Sequence, residues 1–482
     1  MPRRARRPLL MLGVLAFVPA VALGSLAFVA NGRAAGPIVP VTTSTAPPVL
    51  PAVLPTPLLS VRRAPAVLAG DRRADVLAAA VVPVVEAVDG SSCVAVGLDD
   101  TLVATRNTEL AVVPASNLKV VTAAVALEVL GPGATFTTSL TGPAAVDGVV
   151  QGDVHLVGGG DPLLSEAWYT QPSATRKRPP LHTTSAEALA DQLVAAGVTR
   201  ITGKVLGDGS RYDDERYPPG WSADIRASTD GVAVGALVIN DSVSTSGALG
   251  TDPAASAAAT FRALLAQRGI TVAGGSGTGV APAGQPVLAA IQSAPLTEVL
   301  QEMLTTSDNL TAEMLVKEIG LASGGPGRGT RNDGLQAIVT TIAGWGVPTA
   351  GIALTDGSGL SYDNQFTCGA LVAVLQHGSA VDAVGAGLAR GGQDGSTLVD
   401  AFEQPGLVGV LQGKTGSLNN PVKVKALCGY FMAGAAEVEF VLILNGASAA
   451  EYQAAWDRLA TALVALTAAP AGEAMAPKPA VG

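Results

Sequence analysis

The chain has 482 residues, and 48% of them are apolar while only 14% are charged, which excludes intrinsic disorder over most of its length. A net charge of −9 argues against a phosphate-binding surface, so nucleic acid is not expected as a partner. With 57 glycines and 32 prolines, the composition suits a loop-rich α+β chain better than a helical bundle.

In chain order, Arg3, Arg4, Arg6 and Arg7 precede an uncharged apolar stretch from Pro8 to Gly32, the pattern of an export segment. Residues 1–35 are read as a signal peptide, with Pro19 to Ala22 resembling a cleavage site, or as a membrane anchor if uncut. Either fate places the remainder on the extracytoplasmic side. Residues 36–74 read as a Pro/Thr-rich linker. A helix is predicted over Asp75 to Ala87, followed by strands Ser92 to Leu98 and Thr101 to Thr105, joined at Asp99-Asp100. A second helix starts near Ser116 and runs with helical period until Gly131-Pro132-Gly133.

From about Thr138 to Leu288 the pattern changes to short strands, among them Val154 to Val157, Thr199 to Leu206 and Val232 to Ile239, with helices at Ala186 to Ala196 and Ala254 to Gln267. This block behaves as an insertion. Helices resume at Leu296 to Leu304 and Thr311 to Ile319. Strands follow at Val408 to Leu411, Lys423 to Met432 and Glu437 to Leu444, then a helix from Ala450 to about Leu466 and a frayed tail, 469–482.

Cys93, Cys368 and Cys428 are far apart and form no CxxC pair, and His155, His182 and His377 stand alone. Neither a disulfide framework nor a metal site is therefore written in the sequence, and an odd thiol count leaves at least one cysteine free unless it pairs between chains.

Three short motifs carry chemistry. Ser116-Asn117-Leu118-Lys119 opens a helix, where residues three apart share a face and an amine can reach the hydroxyl it must deprotonate. Ser307-Asp308-Asn309 lies between two helical stretches, where a turn can present a hydroxyl and an amide to a cleft. Lys414-Thr415-Gly416 follows the apolar run Val408 to Leu411 and precedes another strand, so its lysine and threonine can hold a carboxylate while its glycine lets a ligand backbone approach. Each motif is weak alone, but all three in this order arise by chance only about 0.003 times in such a chain.

The ordered set resembles the active-site motifs of penicillin-binding proteins and serine β-lactamases, and the long interval between the first two resembles the D-alanyl-D-alanine carboxypeptidase/endopeptidase type. Val157 to Pro162, Asp356 to Ser361 and Gly392 to Leu398 add further matching stretches. Ser417 stands where threonine is commoner, and Tyr362-Asp363 where a basic residue is usual. The resemblance implies an α+β penicillin-binding-protein-like catalytic domain over 75–138 and 287–468, an antiparallel sheet flanked by helices plus an all-helical lobe, with a β-rich insert at 139–286.

It further implies Ser116 as nucleophile, Lys119 as its base, Ser307 as proton relay, and Asn309 holding both substrate backbone and Lys119. Lys414 with Thr415 would bind the substrate's terminal carboxylate, Gly416 and Ser417 would also contact substrate, and the backbone N–H groups of Ser116 and Ser417 would form the oxyanion hole. Asp161 would contact an amine on the substrate's peptide stem. No cofactor is required. The expected partners are peptidoglycan stem peptides, β-lactams as covalent inhibitors, and the membrane if the leader is uncut. Arg176-Lys177-Arg178 reads as a solvated loop. Two other readings are a β-lactamase, for which no E-x-x-L-N stretch is found, and a non-catalytic wall-binding or β-lactam-sensing domain, which would have no need of both lysines.

Overall fold

The computed structural model describes residues 64–171, 178–325 and 327–468. The leader, most of the linker and the tail lie outside them, as do Arg176 and Lys177. Among the described residues no helix is long and apolar enough to cross a membrane.

A six-stranded antiparallel sheet forms the frame, in the order Ala389–Arg390, Gln412–Leu418, Val424–Ala433, Ala436–Asn445, Cys93–Leu98 and Thr101–Arg106. The first long strand of the chain thus pairs with the last, which closes a fold whose two parts are far apart in sequence. Cys93–Leu98 is buried at every position because both sheet faces are covered. On one face the first and last helices, Ala64–Glu86 and Tyr452–Thr467, pack over Val94, Val96, Leu427, Phe431 and Phe440. The first helix therefore begins well before Asp75, inside the expected linker. On the other face sits a helical lobe built from Leu118–Leu130, Leu296–Thr306, Asn309–Ala322, Arg331–Gly344 and Cys368–His377. Leu118–Leu130 is apolar on nearly every side, as a helix enclosed by others must be.

A disulfide between Cys93 and Cys368 ties this lobe to the sheet, and Cys428 is the free, buried thiol. Isolated cysteines without a spacing pattern gave no sign of that pairing.

The chain leaves this frame along Thr137–Thr141 and returns along Val287–Gln292, and these two strands pair antiparallel. They join Val154–Val157, Val205–Asp208 and Ser276–Thr278 in a five-stranded mixed sheet covered by the helices Ala186–Ala195 and Pro253–Gln267.

Three expected strands differ. Thr199 to Leu206 breaks into Arg200–Ile201 and Val205–Asp208, which belong to separate sheets. Val232 to Ile239 is irregular, with bends at Ala236, Leu237 and Ile239, and belongs to no sheet: Val232, Val234, Ala236 and Val238 pack on Tyr212, Leu310 and Met314, while Leu237 and Ile239 turn to the insert core. Its alternation comes from lying between two cores, and its backbone bonds go to single partners, Val234 N donating to Arg216 O and Gly160 N to Ala236 O. Val408 to Leu411 is a turn coiled around Gly406 and Gly409, both at positive φ, so Lys414-Thr415-Gly416 lies inside its own strand instead of after one.

Glu439, directly across the sheet from Tyr430, is 1% exposed, and burial pushes its carboxyl up to about 7. Because the folded value lies above the ordinary glutamate value of 4.5, its contribution is intact in acid and is lost as pH rises toward 7. Glu439→Gln is expected to melt like the native chain near pH 4.5 and to be more stable by about 2 kcal/mol at pH 8.5, measured by thermal unfolding at both pH values. Equal melting at pH 8.5 refutes it.

Candidate active site

Ser116 sits in a single 3-10 turn, Ala115–Asn117, that runs directly into the helix Leu118–Leu130. Ala115 holds φ +48, an uncommon conformation for a residue with a Cβ. The turn is gripped on two sides. A Cβ at Gly359 would lie 1.9 Å from Ala115 O, and one at Gly416 would lie 3.1 Å from Ser116 N. The glycine of the third motif therefore makes room for the turn that carries Ser116.

One helical turn on, Lys119 Nζ donates to Ser116 Oγ at 3.0 Å, to Asn309 Oδ1 at 2.6 Å and to Ser358 O at 2.7 Å. The residue is fully buried, and burial pulls its amine down to about 8 against the opposing charges of Asp308, Asp356 and Glu313. That value leaves a sizeable neutral fraction near neutrality, which a base requires. Asn309 starts the helix Asn309–Ala322, with Asp308 as its N-cap accepting from Thr311 N, and Asn309 Nδ2 donates to Asp230 O at 2.9 Å. Ser307 ends the preceding helix at φ +69, and the left-handed break turns it into the same cleft as Asn309.

Lys414 is also fully buried. Its Nζ donates to Thr415 O at 2.8 Å, and burial, reinforced by the nearby Lys119 charge, holds its amine well below the usual lysine range. Thr415 and Ser417, two apart on one strand, share the opposite face and are more open.

Behind Lys119 lies a loop that the sequence flagged only as a matching stretch. Glu313 accepts from Gly357 N at 3.1 Å and from Ser358 N at 2.8 Å. Asp356 accepts from Gly359 N, Ser361 N, Asn364 Nδ2 and Trp221 Nε1. These two carboxyls fix the loop so that Ser358 O faces the lysine. Burial and the neighbouring Asp356 charge raise the Glu313 carboxyl. Glu313 follows Asn309 by one helical turn, and that spacing was the signal that could have found it.

The cleft, about 210 Å³, is walled by Trp168, Arg178, Asp230, Glu302, Ser307, Asp308 and Asn309. Arg178 is not a solvated loop residue: its guanidinium donates to Ser396 O at 3.0 Å and Thr306 O at 3.4 Å, joining the insert to both edges of the site. Asp161 stands apart. It is 1% exposed, its Oδ1 accepts from Leu163 N to close the Asp-Pro turn, and burial pushes it up to about 6. Three ion pairs, Arg211 on Glu318, Lys317 on Asp213 and Arg331 on Glu215, and a hydrogen bond from Tyr212 to Glu318 tie the insert to the helices behind the site.

An antiparallel sheet bearing a lysine-threonine-glycine strand beside a helical lobe with a serine-lysine pair defines the penicillin-binding-protein class of fold. The fold is similar to that of penicillin binding protein 4 from Haemophilus influenzae, with a TM-score of 0.62 at 20% identity over 76% of this chain and 93% of that one. Residues 89–248 and 232–466 match the D-Ala-D-Ala carboxypeptidase 3 (S13) family, and the chain belongs to it. It is 32% identical to a D-alanyl-D-alanine carboxypeptidase from Actinomadura sp. (strain R39), over 73% of this chain and 76% of that protein. It is 30% identical to carboxypeptidase Rv3627c of Mycobacterium tuberculosis, over 74% and 76%.

Proposed function

We propose that the protein removes the terminal D-alanine from peptidoglycan stem peptides through an acyl-enzyme on Ser116, outside the cytoplasm, and that β-lactams acylate the same hydroxyl. The observation that carries this reading is the triple contact of Lys119 Nζ with Ser116 Oγ, Asn309 Oδ1 and Ser358 O.

Neutral Lys119 takes the Ser116 proton as Oγ bonds to the penultimate carbonyl carbon. The oxyanion is met by the backbone N–H groups of Ser116 and Ser417, each contributing about 3 kcal/mol in comparable enzymes. The C–N bond then breaks, and the proton passes through Ser307 to the departing D-alanine amine. Water, deprotonated by Lys119, hydrolyses the ester and restores the hydroxyl. Burial and the Lys119 charge hold the amine of Lys414 below the usual lysine range. The same chemistry serves cleavage of a crosslink when the leaving amine belongs to a neighbouring stem, so endopeptidase activity belongs to this proposal. The export segment fits delivery to the wall side, as a cut signal or an anchor.

Incubation with fluorescent penicillin, denaturation and peptide mapping tests the reading, alongside D-alanine release from a pentapeptide. The expected result is one adduct on the peptide bearing Ser116 and stoichiometric D-alanine. An adduct elsewhere, or none, overturns it.

A further inference from the structure

The motif resemblance gives Lys414 the task of meeting the substrate's terminal carboxylate, and its surroundings suit that task poorly. Its Nζ is buried, spends a donor on Thr415 O and sits beside a second amine. A group so placed presents little positive charge at the open face of the strand, where Thr415 and Ser417 carry their hydroxyls.

The next strand supplies a cation there. Register pairs Lys425 with Ser417, and directly opposed residues of an antiparallel pair project to the same face. Lys425 Nζ donates to Ser417 Oγ at 2.6 Å and lies 4.9 Å from the Tyr452 ring, which supports its stem. Lys423 Nζ lies 5.7 Å from the centre of the same ring. Neither lysine has a carboxylate within 4.0 Å among the described residues, so this small basic patch beside the hydroxyls is without a counter-charge there.

We propose that Lys425, acting with the Ser417 hydroxyl, binds the terminal carboxylate of the substrate and sets the preference for a free carboxylate over an amide at that end. The proposal rests on the functional reading above and adds a residue to it. An incoming carboxylate accepts from Lys425 Nζ and Ser417 Oγ together, a charge-assisted pair that a neutral amide cannot match. Being on the open face, the contact is sensitive to salt, whereas a contact to buried Lys414 is not.

The test compares the native chain with Lys425→Gln, Lys425→Arg and Lys423→Gln on a D-Ala-D-Ala peptide and on its C-terminal amide. In Lys425→Gln, KM for the acid is expected to rise about tenfold with kcat nearly unchanged, and the amide to be cleaved as by the native chain, so acid-over-amide selectivity collapses. Lys425→Arg keeps the selectivity, and Lys423→Gln changes it less than threefold. Raising salt from 0.05 to 0.5 M raises KM for the acid in the native chain and leaves Lys425→Gln flat.

A purely structural role lowers the melting temperature and slows both substrates alike, and that pattern overturns the proposal. So does unchanged selectivity in Lys425→Gln. The salt dependence of the native acid-over-amide ratio decides the matter if that variant does not fold: a ratio indifferent to salt overturns it. These outcomes differ from failure of the functional reading, in which native protein takes no penicillin on Ser116.

Discussion

Exchange of Lys119 for methionine is expected to slow acylation by penicillin about 10⁴-fold while leaving the chain folded. Methionine keeps much of the length and apolar volume of a side chain that is wholly buried, so the packing of the helix Leu118–Leu130 survives. What disappears is the acceptor for the Ser116 proton, and a positioned base contributes about 10² to 10⁴ in rate. Ser116→Ala removes the covalent adduct altogether. Because the two act as one unit, the double variant behaves no worse than Ser116→Ala alone. In the native chain the acylation rate rises as pH climbs through about 8, since only the neutral amine can accept the proton, and levels off above it. Stopped reactions with labelled penicillin from pH 6 to 9.5 measure both effects. A methionine variant within tenfold of native, or a rate flat across that range, removes Lys119 from the role of base.

The second large effect is expected at Glu313, which touches no substrate. Its carboxyl serves the backbone donors of Gly357 and Ser358, both enclosed. Glu313→Ala leaves the two donors unpaired and opens a cavity beside them. At about 1 to 3 kcal/mol for each orphaned group, the loss of stability amounts to roughly 3 to 5 kcal/mol. The loop can no longer hold Ser358 O at 2.7 Å from Lys119, so acylation falls by at least tenfold in whatever remains folded. Glu313→Gln retains one acceptor oxygen and is expected to lose less than half as much. Denaturant unfolding and labelling rates at pH 7.5 check the pair. If Glu313→Ala unfolds at the native midpoint, the loop is not held by this carboxyl.

The contacts of Lys119 were legible in the sequence where they depend on short-range spacing. Ser116 and Lys119 had to be three apart on a helix, and Asn309 had to follow a turn. The rest of the site depends on single residues set by tertiary contacts. Arg178 looked like part of a charged run, yet two carbonyls of distant segments, Thr306 and Ser396, draw it inward. Asp161 is enclosed, and its Oδ1 accepts from Leu163 N in the turn at Pro162, a contact that the matching stretch alone did not convey. In the fold, the sheet's long strands were visible from their apolar runs. Val232 to Ile239 misled because two cores impose the same alternation that a strand pair does. The helices Arg331–Gly344 and Cys368–His377 escaped notice although Thr330 and Thr367 cap them, since neither carries a strong apolar stripe bounded by breakers.

The two neighbouring strands Thr137–Thr141 and Val287–Gln292 offer a natural splice point, and backbone geometry alone would let a shorter chain cross from one to the other. The ion pairs further along add a condition. Glu318 and Lys317, both 3% exposed under the cover of this block, take Arg211 and Asp213 from it as partners, so a block that kept its cover but lost those two side chains would leave two enclosed charges unpaired. Changes at Arg211 and Asp213 are thereby tied to what stands at Glu318 and Lys317 on the helix Asn309–Ala322.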